Sequence, residues 1–371
     1  MKIGFDGKRA TQNLTGLGNY SRYLIRLLTK FHPQNQFYIY ALRSTPPELS
    51  ISGVMYGYPG KQLIKSYWRS FGIVKTLLKD KIEIFHGLSN EIPYGLRTAG
   101  IPTVVTIHDL IFLRYPQYYS FADRLIYKFK FRYAALQSDR IIAISKKTKQ
   151  DLVYYFGIDE NKIEVIYQDC DEIFQKEATF EVRDEIRKKY RLPEKYLLNV
   201  GTIEERKNLM LIAKAMLRID NIHLVVVGKE TKYTHTVKHF LEQNNLTERV
   251  HFLPNVGLYD LPAIYQQAEL FIYPSRFEGF GIPIVEALHS GIPVIAANGS
   301  CLEEAGGPDS IYIDPDDDFE LANQINCVIE NKDKKIKMVN SGKQYLDKFK
   351  GKSISDQTMH LYQNVIDNAK R

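Results

Sequence analysis

The chain reads as an α/β protein of two Rossmann-like domains facing a cleft, and three observations carry that expectation. Its 371 residues suit two domains of about 100–200 residues each. Short apolar runs alternate with amphipathic stretches along both halves, the pattern of parallel strands joined by crossover helices. Between the halves, "QDCDEIFQKEATFEVRDE" loses strand periodicity and turns polar. That break places a linker near 169–180, a first domain at 1–172 and a second at 173–354. The last segment, "SISDQTMHLYQNVIDNAK", has the period of one amphipathic helix, and 355–371 is expected to return to the first domain.

Taken in order, the strand candidates of the first half are "KIGF", "QFYIY", "KIEIFH", "TVVTIH", "RIIAIS" and "KIEVIY". Helical patterns fall around 18–30, 122–136 and 146–156. The second half repeats the alternation with "YLLNVG", "IHLVVVG", "RVHFLP", "LFIYP", "IPVIAA" and "SIYIDP". Helices are expected there near 207–218, 232–244, 258–267, 283–290 and 319–331. Ligands of such sheets sit beyond the carboxyl ends of the strands, so the residues after each strand are the ones to read for chemistry.

Composition narrows the class. A hydrophobic fraction of 44% with 25% charged residues is that of a soluble globular protein. Cys170, Cys301 and Cys327 make neither a disulfide framework nor a paired metal spacing, which favours a reducing compartment. The start, "MKIGFDGKR", has no apolar run of signal length, and no stretch approaches the length of a membrane span. A cytoplasmic protein is the expectation. The formal net charge is +7, and residues 1–172 carry 24 Lys and Arg against 15 Asp and Glu. A basic first half points to an anionic partner, whether nucleotide, membrane surface or nucleic acid. No zinc-ligand spacing or RNA-binding aromatic motif supports nucleic acid.

The densest motif is "SRFEGFGIPIVEALHSGIPVI" at 275–295. Ile284, Val285, Ala287 and Leu288 have helical spacing around Glu286, and Pro283 suits a first helical turn. Glu278 therefore lies in the loop before a helix and Glu286 about one turn inside it. Gly279 and Gly281 leave the intervening amides uncovered, and a helix start with bare amides attracts an anion. Two carboxylates would repel an anion unless they bind hydroxyl groups, so a ligand with both phosphate and sugar diols fits. An ordinary crossover with surface glutamates has the same spacing.

"GTIEERKNL" follows the strand "YLLNV", so Arg206 and Lys207 fall where a strand hands over to a helix. Adjacent cations there can hold a diphosphate, lysine as a point charge and arginine as a fork. "TGLGNY" puts Thr15, Gly16, Leu17 and Gly18 in a glycine loop opening the helix "NYSRYLIRLLTKF"; it lacks the third glycine of a dinucleotide fingerprint. His86 and His108 each close a strand, as cleft residues or as satisfied structural ones. "IDPDDDFE" reads as a turn plus N-cap rather than a metal site. "FADRLIYKFKFRYAALQ" and "KQLIKSYWRSFGIVKTLLKDK" interleave cations with aromatics. Such helices can lie on anionic membranes or pack on a core with a solvated basic face.

Together these pieces resemble the retaining glycosyltransferases of family 4, which have the GT-B fold. The likeness runs in order through "MKIGFDGKRA…TGLGNY", "FHGLSNEIP", "VVTIHDL", "RIIAISKKTKQDL", "VGTIEERKNL" and "SRFEGFGIPIVEALHSGIPVIA" to the final helix. The bacterial mannosyltransferases of surface-polysaccharide assembly look most similar. The resemblance implies catalytic roles for Arg206, Lys207, Glu278 and His108. Arg206 and Lys207 match a diphosphate-binding pair, Glu278 a residue contacting donor-sugar hydroxyls, and His108 a histidine near that sugar. Glu286 matches the glutamate on the nucleotide ribose. Gly16 and Gly18 match a loop beside the phosphates, with amides from Gly279, Phe280, Gly281 and Ile282 assisting. The loop with Asn255 and Val256 is expected near the base. Two departures stand out: "YQDCD" where the family often has "YNGVD", and Glu303 in "SCLEEAGG" where a proline is usual.

The implied activity is retaining transfer of a sugar, with mannose from GDP-mannose favoured, to a glycan or lipid-linked glycan in surface-polysaccharide biosynthesis. No metal or other cofactor is expected, the acceptor is assigned to the first domain, and contact with the inner face of a membrane is a candidate. A UDP-sugar donor on the same fold, a non-catalytic two-domain binding protein and an NAD-dependent dehydrogenase are the alternatives; the last lacks its glycine fingerprint.

Overall fold

The computed structural model describes residues 1–13, 16–60 and 65–370. The chain divides into two compact units, Met1–Gln168 with Phe349–Arg371, and Asp169–Lys348.

In the first unit the described strands are β1 (Lys2–Asp6), β2 (Gln36–Tyr40), β3 (Val54–Gly57), β4 (Ile84–Gly87), β5 (Thr103–Ile107), β6 (Arg140–Ala143) and β7 (Ile163–Val165). They form one parallel sheet in the order β3-β2-β1-β4-β5-β6-β7. β4 and β5 are buried along their whole length, as strands covered on both faces must be, and their near-continuous apolar runs follow from that. The strand order reverses between β1 and β4, which makes the ends of those two strands the switch point of the sheet. β3 was not among the expected strands: it is a four-residue edge strand, only half-buried, ending on a glycine.

The second unit holds β8 (Tyr196–Val200), β9 (His223–Val227), β10 (Val250–Leu253), β11 (Leu270–Tyr273), β12 (Val294–Ala297) and β13 (Ile311–Ile313). They too are parallel, in the order β10-β9-β8-β11-β12-β13, with the switch point between β8 and β11. The helices Phe180–Tyr190 and Lys332–Tyr345 were not expected. The first buries only Ile186 and the second only Met338 and Gly342, so neither writes an apolar stripe into the sequence. The segment 169–180, read as a linker, packs into this unit: Phe174 is buried edge-on against Tyr265 at 5.6 Å between ring centres. The acidic run is a turn and a cap, with Asp314 accepting from the Asp316 amide and Asp317 from the Glu320 amide, both at 2.8 Å.

The C-terminal helix Gly351–Ala369 belongs to the first unit and packs on the helix Gly16–Phe31. Its Tyr362 reaches the sheet: the hydroxyl is 2.5 Å from His86 Nδ1, while His86 Nε2 lies 2.8 Å from Thr106 Oγ1. Tyr20 extends the chain to Thr106 at 3.0 Å. Both ring nitrogens of His86 are thus used inside the core. Burial, with the nearby His108 adding, pushes its pKa down to about 3, so it is neutral. Of the two strand-end histidines, His86 takes the structural role. Tyr362→Phe, which strips His86 of one partner, is expected to cost about 1–3 kcal/mol, read as a lowered urea midpoint with an unchanged m value. An unshifted midpoint would remove the tie from the fold's stabilising contacts.

Candidate functional site

The loops after β8 and β11 meet at the switch point of the second unit. Arg206 and Lys207 lie in a short 3-10 turn, Glu205–Lys207. Asn208 follows in the left-handed region at φ 59° and spends its amide on the carbonyls of Pro274 and Pro315, at 3.3 and 2.7 Å. The Arg276 amide donates to the Arg206 carbonyl at 2.9 Å, so the two loops are bonded through the backbone. Gly201, at φ 144°, lets the Lys207 side chain lie against it: an added Cβ would stand 3.1–3.3 Å from the lysine's terminal atoms.

Glu278 is the hub of the cluster. Its Oε1 accepts from Ser275 Oγ at 2.8 Å, from Lys207 Nζ at 3.0 Å and from the Tyr273 hydroxyl at 3.0 Å, and pairs with Arg206 Nη1 at 2.8 Å. None of these bonds falls on Oε2. Lys207 also donates to the Tyr273 hydroxyl at 2.6 Å, and Arg206 to Glu204 at 2.6 Å and to the Phe277 carbonyl. Burial alone would raise the Glu278 carboxyl, but Arg206 and Lys207 outweigh it and hold its pKa at about 2. The carboxylate is therefore ionised.

Glu286 repeats that arrangement with the opposite electrostatics. It sits inside the helix Ile282–His289, whose N-cap Gly281 offers no side chain to the first amides. Tyr265 donates to its Oε2 at 2.8 Å. Burial raises its pKa to about 7, against the lowering effect of the Tyr265 bond, with Asp171 adding to the rise and Lys207 opposing it. Gly279, Phe280, Gly281 and Ile282 span the turn between the two glutamates. Phe280 is buried, and the buried Cys301 thiol donates to the carbonyls of Glu278 and Phe280 at 2.9 and 3.3 Å. Glu303, one of the two departures in the sequence, accepts from the Gly299 amide at 3.1 Å, which gives it a local turn-closing role.

Not every expected residue joins this cluster. Asn255 and Val256 lie in the loop after β10, two strands from β8. The glycine loop of the first unit is in fact the first turn of the helix Gly16–Phe31, and Thr15 lies outside the described residues. Gly16 is exposed with open space around it, whereas a Cβ on Gly18 would stand 1.9 Å from the Asn13 carbonyl oxygen. Gly18 is therefore required by close packing. His108 follows β5 and is buried. Its Nε2 is 2.9 Å from the Leu88 carbonyl, an acceptor only, so Nε2 carries the proton and Nδ1 the lone pair. Burial pushes its pKa down to about 4, so it is neutral and can accept but not protonate.

Sequence reasoning missed Tyr273, Ser275 and Tyr265, which hold the two glutamates. Tyr273 and Ser275 are the strand-end positions flanking Pro274, and their place just before Glu278 was the available signal. Tyr265 sits in the short apolar helix Leu261–Gln266 and carries none. A second buried ion cluster was missed at the switch point of the first unit. There Arg69 bonds both oxygens of Asp6 and donates to Glu91 at 2.7 Å. Burial would raise the Asp6 carboxyl, but Arg69 holds it below the usual range.

Comparison with known proteins agrees with this architecture. The glycosyltransferase family 4 model matches residues 14–168, and the model for glycosyl transferases group 1 matches residues 182–345. O-antigen chain mannosyltransferase B of Escherichia coli is 27% identical over 338 residues, 85% of this chain and 87% of that protein. O-antigen chain mannosyltransferase RfbU of Salmonella typhimurium is 28% identical over 215 residues, 58% of this chain and 57% of that one. A glycosyltransferase structure from Rickettsia africae superposes with a TM-score of 0.79 at 18% identity, covering 99% of both chains. The two family models fall on the two units and together take in most of the sequence: the chain belongs to the glycosyltransferases of family 4 and group 1, with the GT-B fold.

Proposed function

We propose that the protein is a retaining mannosyltransferase that moves mannose from GDP-mannose to a glycan or lipid-linked glycan acceptor of a surface polysaccharide. The observation that carries the reading is the Glu278–Arg206–Lys207 cluster beside the uncapped start of Ile282–His289. Its two cations suit a diphosphate, and the Glu278 Oε2 suits a sugar hydroxyl. Glu286 suits the ribose diol. The names of the two O-antigen relatives support mannose. In this reading Arg206, Lys207 and the helix-start amides stabilise the departing nucleotide diphosphate, whose negative charge grows as the glycosidic bond breaks. Neutral His108 accepts from a sugar hydroxyl through Nδ1. The cations take the place of a metal, and the loop at Asn255 and Val256 discriminates the base. The acceptor is assigned to the first unit.

A panel of GDP- and UDP-sugars scored by released nucleotide tests the donor; turnover with a UDP-sugar and none with GDP-mannose would reassign it. Lys207→Ala is expected to lower kcat by about 100-fold with a smaller change in KM, and EDTA to leave wild-type turnover intact. A rise in KM alone would make the pair a binding device only. Turnover lost to EDTA and restored by magnesium or manganese would put a metal in the cations' place.

The Glu286 carboxyl gives a pH signature. A diol donates hydrogen bonds, so the ligand prefers the ionised carboxylate. Raising the pH from 6 to 8 through a pKa of about 7 is expected to lower donor KM up to about tenfold, and Glu286→Gln to raise KM and flatten the profile. A profile unchanged by that substitution would take Glu286 out of donor binding.

Membrane contact is assigned to the helix Phe121–Gln137. Its buried face carries Phe131, Ala134 and Ala135. Its outer face carries Phe121, Leu125 and Phe129, exposed by 72, 54 and 64%, with Lys128 and Arg132 exposed as well. Such a face suits an anionic headgroup layer. Lys130 instead faces Glu91 at 3.4 Å, and Trp68 of the other basic stretch is buried; residues 61–64 lie outside those described. No helix among the described residues is long and apolar enough to cross a membrane. The double substitution Lys128→Gln, Arg132→Gln is expected to weaken sedimentation with anionic vesicles by about tenfold or more, each cation adding about 1 kcal/mol, while donor hydrolysis persists. Equal partition onto neutral and anionic vesicles, or none, would end this assignment.

A further inference from the structure

The departure "YQDCD" falls on residues that the fold gathers far from their sequence neighbours. Asp169 and Cys170 begin the second unit, and His289 ends the helix that carries Glu286. One ligand-type atom from each of the three lies within 4.8 Å of the other two. Asp169 and Cys170 are buried, and the His289 side chain is only 14% exposed. His289 Nε2 stands 2.8 Å from Asp169 Oδ1, which also accepts the Cys170 amide at 2.8 Å. The charged groups acting on the Cys170 thiol are Asp169, Glu286 and Asp171, all carboxylates. A buried carboxylate, thiol and imidazole, converging in a field of negative charge, are the ligand types of zinc rather than of magnesium or calcium.

We propose that Asp169, Cys170 and His289 form a site for a thiophilic divalent cation of the zinc type, which joins the start of the second unit to the end of the Glu286 helix. Metal–ligand bonds of about 2.0–2.3 Å draw the three atoms slightly inward and part the Asp169–His289 hydrogen bond. Three protein ligands leave one position for water. Binding is balanced by a proton: the Cys170 thiol loses its hydrogen to solvent as the sulfur–metal bond forms. The ligands are too far apart in the chain for any spacing motif. The site is separate from the proposed diphosphate cations, and its test does not depend on sugar transfer.

The test uses the full, untagged chain with Cys327→Ser, which removes the exposed thiol. Zinc titration is expected to show one site per chain. Cobalt in its place is expected to give near-ultraviolet thiolate-to-metal absorption. Cys170→Ser and His289→Ala are each expected to weaken zinc by at least about 10–100-fold, the loss that even outer-shell changes produce. Zinc is also expected to raise the thermal midpoint of the parent chain and not of Cys170→Ser. Equal zinc affinity in the parent and Cys170→Ser chains would overturn the proposal. So would a cobalt complex without the thiolate band, which needs only the parent chain and decides the matter even if the variants fold poorly.

Discussion

The second unit depends on a single oxygen atom. Glu278 Oε1 gathers a serine, a tyrosine, a lysine and an arginine from two loops that leave the sheet at adjacent strands. Taking two cations and a carboxylate largely out of water is costly, and the mutual attraction of such groups rarely returns more than that cost. The return here is geometric. Removing the carboxylate would leave Lys207 without its ion pair and Arg206 with Glu204 alone; removing either cation would let the loop after β8 relax. Because the carboxylate already holds both cations in place, little reorganisation is left for the moment when charge develops on a ligand. That is the condition under which fixed charges contribute most to a reaction.

Two glutamates eight residues apart carry out opposite assignments because of what stands beside them. At Glu278, burial and two cations compete and the cations win, so its pKa falls to about 2. At Glu286, burial meets only a tyrosine hydroxyl and a more distant lysine, and the pKa rises to about 7. The one is a permanent charge. The other is poised to take up its full charge when a hydrogen-bond donor arrives. In both, the bonds within the protein fall on one oxygen, Oε1 of Glu278 and Oε2 of Glu286.

Where the sequence was legible, the physics was local. Strands buried along their whole length, such as β4, β5, β11 and β12, wrote continuous apolar runs; of the thirteen described strands only the short edge strand Val54–Gly57 went unread. The positions of Arg206, Lys207 and Glu278 in loops after their strands, and of Glu286 about one turn into its helix, were legible from the strand–loop–helix handovers. What holds them was not. Tyr265 looks like any core tyrosine, and the Asp169–Cys170–His289 gathering spans more than a hundred residues of chain. The two histidines show the limit most clearly. His86 and His108 end neighbouring strands in nearly identical contexts, yet His86 spends both ring nitrogens inside the core while His108 is seen to spend only Nε2. The difference is made by Tyr362, which lies 276 residues away from His86.

The two units solve the same problem in the same way. A doubly wound sheet parts its crossover helices where the strand order reverses, and the strand ends there are left without a covering helix. Polar groups can reach those ends, and each must then be paired. In the second unit the pairing is Glu278 with Arg206 and Lys207. In the first it is Asp6, the last residue of β1, with Arg69, which in turn binds Glu91. The partner differs in origin: the cations of the second unit come from the adjoining strand loop, whereas Arg69 comes from the helical segment before β4 and brings a second carboxylate with it. Counted with their outer partners both clusters balance: in the first Glu91 also faces Lys130, and in the second Arg206 also pairs with Glu204. Local pairing brings both clusters near neutrality, although the first half of the chain is basic overall. Net charge along the sequence therefore says little about the switch points, where each buried charge is set by its immediate partners.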